Sequence, residues 1–104
     1  MKKVKHAAQA DHFEQIINVG SATAEDFRLL GFNNPKQLTG SNPVELYRTI
    51  CKITKTFHDP CVLDVFIATV DFMNGGRPKS WWAFTKQRKK DHTKVVEQMR
   101  AKYG

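Results

Sequence analysis

Residues 60 to 73 read Pro-Cys-Val-Leu-Asp-Val-Phe-Ile-Ala-Thr-Val-Asp-Phe-Met, an apolar surface interrupted only by Asp64, Thr69 and Asp71. Asp59-Pro60 opens the run with a capping side chain and a proline whose missing donor costs nothing at the first helical position; Asn74-Gly75-Gly76 ends it. A helix apolar on most sides is stable in water only when other elements surround it, so this one belongs at the centre of the fold. It is too short to cross a membrane, and no apolar run approaches the ~18 residues a span needs.

The rest of the chain supplies the wrapping. Ala7, Ala10, Phe13, Ile16 and Ile17 recur at near three-or-four spacing, which predicts a helix over about 7–16 that stops at Asn18-Val19-Gly20. A second helix begins near Ser21, with Ser21 or Thr23 accepting from free amides, Glu25 and Asp26 at the positive end of the dipole, and Ala24, Phe27 and Leu30 inward. Gly31 ends it as a left-handed cap on which Phe32 folds back. Asn34 to Leu38 reads as one helical turn ending at Thr39-Gly40. Asn42-Pro43 opens a helix over about 43–55 with Leu46, Tyr47, Ile50 and Ile53 or Thr54 inward. Ser80 caps a helical start at Trp81-Trp82-Ala83-Phe84, and a last helix over about 92–102 carries Val95 or Val96, Met99 and Tyr103 on one face. No segment alternates with the period of two that a strand needs. The expectation is an all-α, compact single domain, residues 1–104, of about five to six helices. For 11.9 kDa the folded surface should be about 6,000 Å², with roughly two thirds of the unfolded area buried. No fixed-period repeat is evident; the nearest is a pair of short helix-turn-helix units hinged at Gly20 and Gly40.

Charge is divided unevenly. Residues 1–76 hold eight basic and eight acidic side chains, whereas residues 77–104 hold nine basic against Asp91 and Glu97, so the last 28 residues carry the whole net charge of +7. This separates a charge-balanced core over 13–76 from a basic helical segment over 77–104. A field of that sign attracts polyanions; the alternative is a solvated face that keeps a small protein soluble. The start, Met-Lys-Lys-Val-Lys-His, runs into no apolar stretch, so no secretory signal is read and a cytoplasmic location is expected.

The stretch Ile16-Ile17-Asn18-Val19-Gly20-Ser21-Ala22-Thr23-Ala24-Glu25-Asp26-Phe27 resembles the helix-hairpin-helix motif, in which Gly-hydrophobic-Gly opens a second helix whose amides face a phosphate. Asn18 stands at the first glycine and Ile17 at the usual proline, Gly20 fits the second glycine, and Ala22 replaces a frequent lysine. Asn tolerates positive φ better than other non-glycine residues, so the turn is retained. Further on, Leu29-Leu30-Gly31-Phe32, Asn42-Pro43-Val44-Glu45-Leu46-Tyr47, Asp59-Pro60-Cys61-Val62-Leu63-Asp64-Val65-Phe66 and Trp81-Trp82 with its basic run resemble a small bacterial family of helix-hairpin-helix or "pathogenicity locus" proteins, some named for mitomycin resistance. The similarity covers roughly residues 13–90. It implies a helical fold with a helix-hairpin-helix (SAM-like) unit and DNA binding, and it implies no reaction.

Cys51, His58 and Cys61 have no Cys-x-x-Cys knuckle and no evident fourth ligand, so buried thiols are expected rather than zinc. A Cys51–Cys61 bridge is sterically conceivable but out of place in a cytoplasmic protein. Cys61 lies in the first turn of a helix, which favours thiolate, beside Asp59, which opposes it. Asp64 and Asp71 share a helix face about 10 Å apart along the axis, too far for one metal ion, and lysine pairing or a wet stripe is the ordinary explanation. Two adjacent tryptophans cannot both face inward, so Trp81 with Phe84 is expected in the core and Trp82 outside, available to bases.

The expected function is non-enzymatic, sequence-nonspecific binding of nucleic acid, DNA more than RNA, with no cofactor, metal or membrane. Contacts are expected from Asn18, Gly20, Ser21, Ala22 and Thr23 at the hairpin and from Lys86, Arg88, Lys89 and Lys90 in the basic segment. The rival is an adaptor for a protein partner in which the hairpin is only a corner.

Overall fold

A computed structural model describes residues 1–104. Four α-helices, α1 (Ser21–Leu29), α2 (Pro43–Thr54), α3 (Pro60–Met73) and α4 (Thr85–Tyr103), are joined by 3₁₀ turns at Ala7–Gln9, Phe13–Gln15, Pro35–Leu38 and Trp81–Phe84, and there is no strand. The all-α expectation holds, with four helices rather than five to six. As its composition requires, α3 is central. Leu63, Asp64, Phe66, Ala68, Thr69, Val70, Phe72 and Met73 are all buried, and α2, α4 and the 35–38 and 81–84 turns pack around it.

The three Asx-Pro signals begin helical turns as expected. The Asp59 carboxylate accepts the Cys61 N–H at 2.9 Å, the Asn42 amide oxygen accepts those of Val44 and Glu45 at 3.0 and 3.4 Å, and Asn34 accepts that of Lys36 at 3.1 Å. At the end of α1, Gly31 takes φ +96°, its N–H reaches the Arg28 carbonyl at 3.0 Å, and the Phe32 N–H reaches the Phe27 carbonyl at 3.0 Å. This paired closure satisfies carbonyls that would otherwise be orphaned, and it returns half-buried Phe32 to the core. On α2 the inward residues are Tyr47, Ile50 and Cys51, while Ile53 faces solvent. Rings of Phe13, Phe27 and Phe66 lie 5.4 and 5.2 Å apart in sequence, tying the 13–15 turn to α1 and α1 to α3.

The expected helix over 7–16 is replaced by two 3₁₀ turns separated by extended backbone. Its apolar residues recur at three, which suits a three-residue turn better than an α-helix. The Gln9 side-chain oxygen accepts the amides of Lys5 and His6 at 3.3 and 3.1 Å, and that of Gln15 accepts those of Asp11 and His12, both at 2.8 Å. The pattern His-x-x-Gln-apolar therefore occurs twice, at 6–10 and 12–16, each copy ending on a fully buried residue, Ala10 or Ile16. This six-residue repeat corrects the reading that no fixed-period repeat is present, and the unit expected around Gly20 lacks its first helix.

Two other details differ. The cap of α1 is Gly20, not Ser21 or Thr23, so Glu25 and Asp26 fall beyond the first turn. At the other end, the helix expected from residue 92 is continuous with the basic run, because α4 passes through a kink at His92 (φ −128°, ψ 17°). Ser80 makes no capping bond, and Trp81–Phe84 is a 3₁₀ entry to α4. The C-terminal end of α4 returns to the body: the Phe57 N–H donates to the Tyr103 carbonyl at 3.2 Å, and the Arg100 guanidinium lies 4.7 Å from the centre of the Phe57 ring. Accessible surface is 6138 Å², close to the value expected from mass.

Candidate functional site

The turn before α1 is built around Asn18, which takes φ +73° as the non-glycine residue best suited to it. Its side chain reaches across the fold. Oδ1 accepts the Trp81 N–H at 3.1 Å, and Nδ2 donates to the Lys79 carbonyl at 2.8 Å. Two segments more than sixty residues apart in sequence are thereby fastened together. Lys3 supports the same turn from below, its ammonium donating to the carbonyls of Glu14, Ile16 and Val19 at 2.8, 3.0 and 2.7 Å. Partial burial holds the Lys3 pKa below the usual lysine value, against the Glu14 charge, which raises it.

Gly20 takes φ −100°, and a Cβ there would meet nothing within 4 Å. Neither positive φ nor crowding inside the protein demands a glycine, and the surface over it is open. The Gly20 carbonyl accepts the first helical bond, from Ala24 at 3.0 Å, but the N–H groups of Gly20, Ser21, Ala22 and Thr23 have no partner in the protein. These are the four orphan donors of a helix start, left uncapped at the positive end of the α1 dipole. The Asn18 side chain is spent on Lys79 and Trp81, so of the five hairpin residues singled out above, Gly20 to Thr23 present donors outward and Asn18 acts as their brace.

The basic segment divides into two faces of α4. Lys86, Lys89 and Lys90, with Lys94, are exposed, and no carboxylate lies within 4 Å of any of their ammonium groups. Arg88 is a correction. Expected with the lysines, it turns inward on the face of Val95, Val96 and Met99, and it is 9% exposed. Its Nε and Nη2 donate to the two carboxylate oxygens of fully buried Asp64 at 2.8 and 3.2 Å, and the Thr85 hydroxyl donates to Asp64 Oδ2 at 2.8 Å. The hydrogen bonds to Asp64 hold the Arg88 pKa above its ordinary value, against burial. Asp64 is thus neither a wet stripe nor a lysine partner. It sits in α3, where the central helix passes beneath α4, and the pair joins the two helices from inside. Arg100 is also engaged, with Glu97 at 3.7 Å.

The aromatic pair splits with Trp82 outside as expected, but Trp81 and Phe84 stay at the edge of the core rather than inside it. Trp81 and Phe84 are half-buried, Trp82 is 65% exposed, and the two indoles meet edge to face at 5.7 Å. Cys51 is buried and Cys61 half-buried, both as free thiols. Burial, then the neighbouring Asp59 carboxylate, pushes the Cys61 thiol up to about 11, so the helix start does not make it a thiolate at neutral pH. Burial also raises the Cys51 thiol. The His58 ring is 2.9 Å from the Thr54 hydroxyl, and the Tyr47 hydroxyl donates to the His58 carbonyl at 2.6 Å. Asp71 packs its carboxylate against Gly76, where a Cβ would collide with it.

Sequence reasoning missed Lys3 and the bracing role of Asn18. The Lys3 signal was present, since Lys2, Lys3 and Lys5 precede any acidic residue, but a count over 76 residues averaged it against distant carboxylates. The Asn18 contact joins residues too far apart for any local pattern to reveal.

Over 75 residues, 72% of this chain and 71% of the relative, the sequence is 35% identical to the mitomycin resistance protein McrB of Streptomyces lavendulae. No solved structure matches the chain. The model of the family described as "Pathogenicity locus" matches residues 6–90, and the chain belongs to that family.

Proposed function

We propose that this protein is a non-enzymatic module that binds nucleic acid without sequence specificity, DNA in preference to RNA. The observation that carries this reading is the sorting of charge on α4, where the single arginine of the 86–90 run is buried against Asp64 while three lysines remain exposed and free of carboxylates. A helix that shields its structural cation and displays the others keeps an open positive face, the electrostatic footprint of phosphate binding. The unpaired amides of Gly20 to Thr23 support it: read as a helix-hairpin-helix turn whose first limb has shrunk to one 3₁₀ turn, they offer a strand one or two backbone contacts, and the bare surface at Gly20 allows close approach. Exposed Trp82 adds a face on which a base can stack.

The test is fluorescence anisotropy with labelled single- and double-stranded DNA and RNA at 50 mM salt, comparing the full chain with a K86Q/K89Q/K90Q variant. Arg88 stays, because removing it would disturb the core. The reading predicts binding by the parent and a loss of about tenfold or more in the variant. Equal binding by both would overturn the role of α4. No binding by the parent to any of the four probes would overturn the reading and leave the protein-adaptor alternative.

A further inference from the structure

A second concentration of positive charge lies away from α4, where the N-terminal arm passes the loop after α3. Two open depressions of about 420 and 620 Å³ meet there, sharing Lys5 and His6 as common wall. Four cations, Lys2, Lys3, Lys5 and Arg77, line them, and no carboxylate does. Asp71, packed against Gly76, is not among the lining residues. Lys3 is committed to three carbonyls, but Lys2, Lys5 and Arg77 are exposed and make no hydrogen bond or ion pair through their side chains. The far wall is low at Gly75, where a Cβ would stand in open space, while beside Gly76 the space is taken by the Asp71 carboxylate. The Gly75 and Gly76 amides are already donated to Phe72 and Asp71, so an anion here would be held by the cationic side chains.

The fold makes this groove continuous with the hairpin. The Lys3 ammonium touches the Val19 carbonyl, Val19 lies between Asn18 and Gly20, and Asn18 holds the 79–81 backbone that follows the Arg77-Pro78 wall. The arm itself is fixed by the Val4 N–H donating to the Gln15 carbonyl at 2.9 Å. A concave track lined by Lys2, Lys3, Lys5 and Arg77, with the lone Asp71 carboxylate beside Gly76 at one wall, leading to a row of unpaired amides suits a chain of phosphates better than an isolated small anion.

We infer that the groove between Lys2–His6 and Gly75–Pro78 is a second phosphate track, which takes the phosphodiester backbone of a nucleic-acid strand as it leaves the hairpin. This rests on the proposed nucleic-acid function and adds to it a binding face that the α4 lysines do not form. The experiment measures anisotropy of a labelled oligothymidylate over a salt series with the full chain, a K2Q/K5Q/R77Q variant and the K86Q/K89Q/K90Q variant. The groove variant removes only exposed, unpaired side chains, so its thermal melt should match the parent's, and a charge-keeping K2R/K5R/R77K variant should bind as the parent does. The inference predicts that the groove variant binds roughly tenfold to a hundredfold more weakly near 100 mM salt and that its log-log salt slope is shallower by about 2. Unchanged affinity and slope in the groove variant, with loss in the α4 variant, would overturn the groove and leave the proposed function standing. Absence of binding by the parent would overturn both.

Discussion

The first twenty residues and the three long helices are held by different means. α2, α3 and α4 bury apolar side chains on one another, and the polar groups inside them, Asp64, Thr69 and Arg88, are satisfied: the Thr69 hydroxyl by the Val65 carbonyl at 2.7 Å, the other two by each other. The N-terminal segment has too few backbone hydrogen bonds for a helix and substitutes side chains for them, with Gln9 and Gln15 holding amides, Lys3 holding carbonyls, and Lys36 holding the Ala10 carbonyl at 2.9 Å. A cation or amide inside such a segment does the work of a helical turn. On α4, by contrast, Lys86, Lys89, Lys90 and Lys94 are left over for solvent.

The largest expected effect lies in the helical region. Asp64→Ala leaves the Arg88 guanidinium buried without its partner and should cost about 3–5 kcal/mol, read by urea denaturation. A D64L/R88M double variant, which removes both charges, should recover most of it; no recovery would mean that the pair is more than an internal tie. Phe27→Ala should cost a similar ~3–5 kcal/mol, because its ring bridges the 13–15 turn and α3, and should loosen both regions together. In the N-terminal segment the losses should be smaller and local. Lys3→Met removes three hydrogen bonds and should cost about 1–3 kcal/mol, with faster amide exchange at Ile16 and Val19, whose backbone bonds lie nearest the ammonium.

Acid should act through Asp59. The Cys61 N–H, bonded to its carboxylate, holds the Asp59 pKa below the usual aspartate value. A depressed native pKa contributes stability that is complete above the unfolded value of about 3.9 and is lost as pH falls through the native one. Stability should therefore decline below about pH 4. Asp59→Asn, which keeps an acceptor for the cap, should flatten that decline, whereas Asp59→Ala should cost about 1 kcal/mol at neutral pH. Smallest of all should be K86Q/K89Q/K90Q, whose stability should stay within about 0.5 kcal/mol of the parent. A larger shift would mean that these lysines are tied into the fold.

The contrast also explains what was legible in the sequence. Asn42-Pro43, Asp59-Pro60 and Gly31 mark boundaries through the local chemistry of capping and left-handed backbone, and all three act as read. The apolar run of α3 could only be central. The segment over 7–16 was misread because its three-residue spacing lies close to helical spacing, while the glutamine caps that turn it into 3₁₀ pieces are polar and carry no periodic signal. Arg88 was misread for the opposite reason. Within Lys86-Gln87-Arg88-Lys89-Lys90 it looks like one more surface cation, and only its register with Val95 and Met99, together with a lone aspartate in an apolar helix, points inward. Asp64 was the stronger clue: a carboxylate on a helix that must be surrounded needs a buried partner.

The most direct test of an open cationic face on α4 is the dissociation constant for a single DNA strand measured from 50 to 200 mM salt. Lys86, Lys89, Lys90 and Lys94, each neutralising one phosphate, would alone give a log-log slope of about 3 and a loss of roughly two decades across that range, and contacts from Lys2, Lys5 and Arg77 would steepen it further. A dissociation constant that barely moves with salt, or binding too weak to detect at 50 mM, would contradict the account.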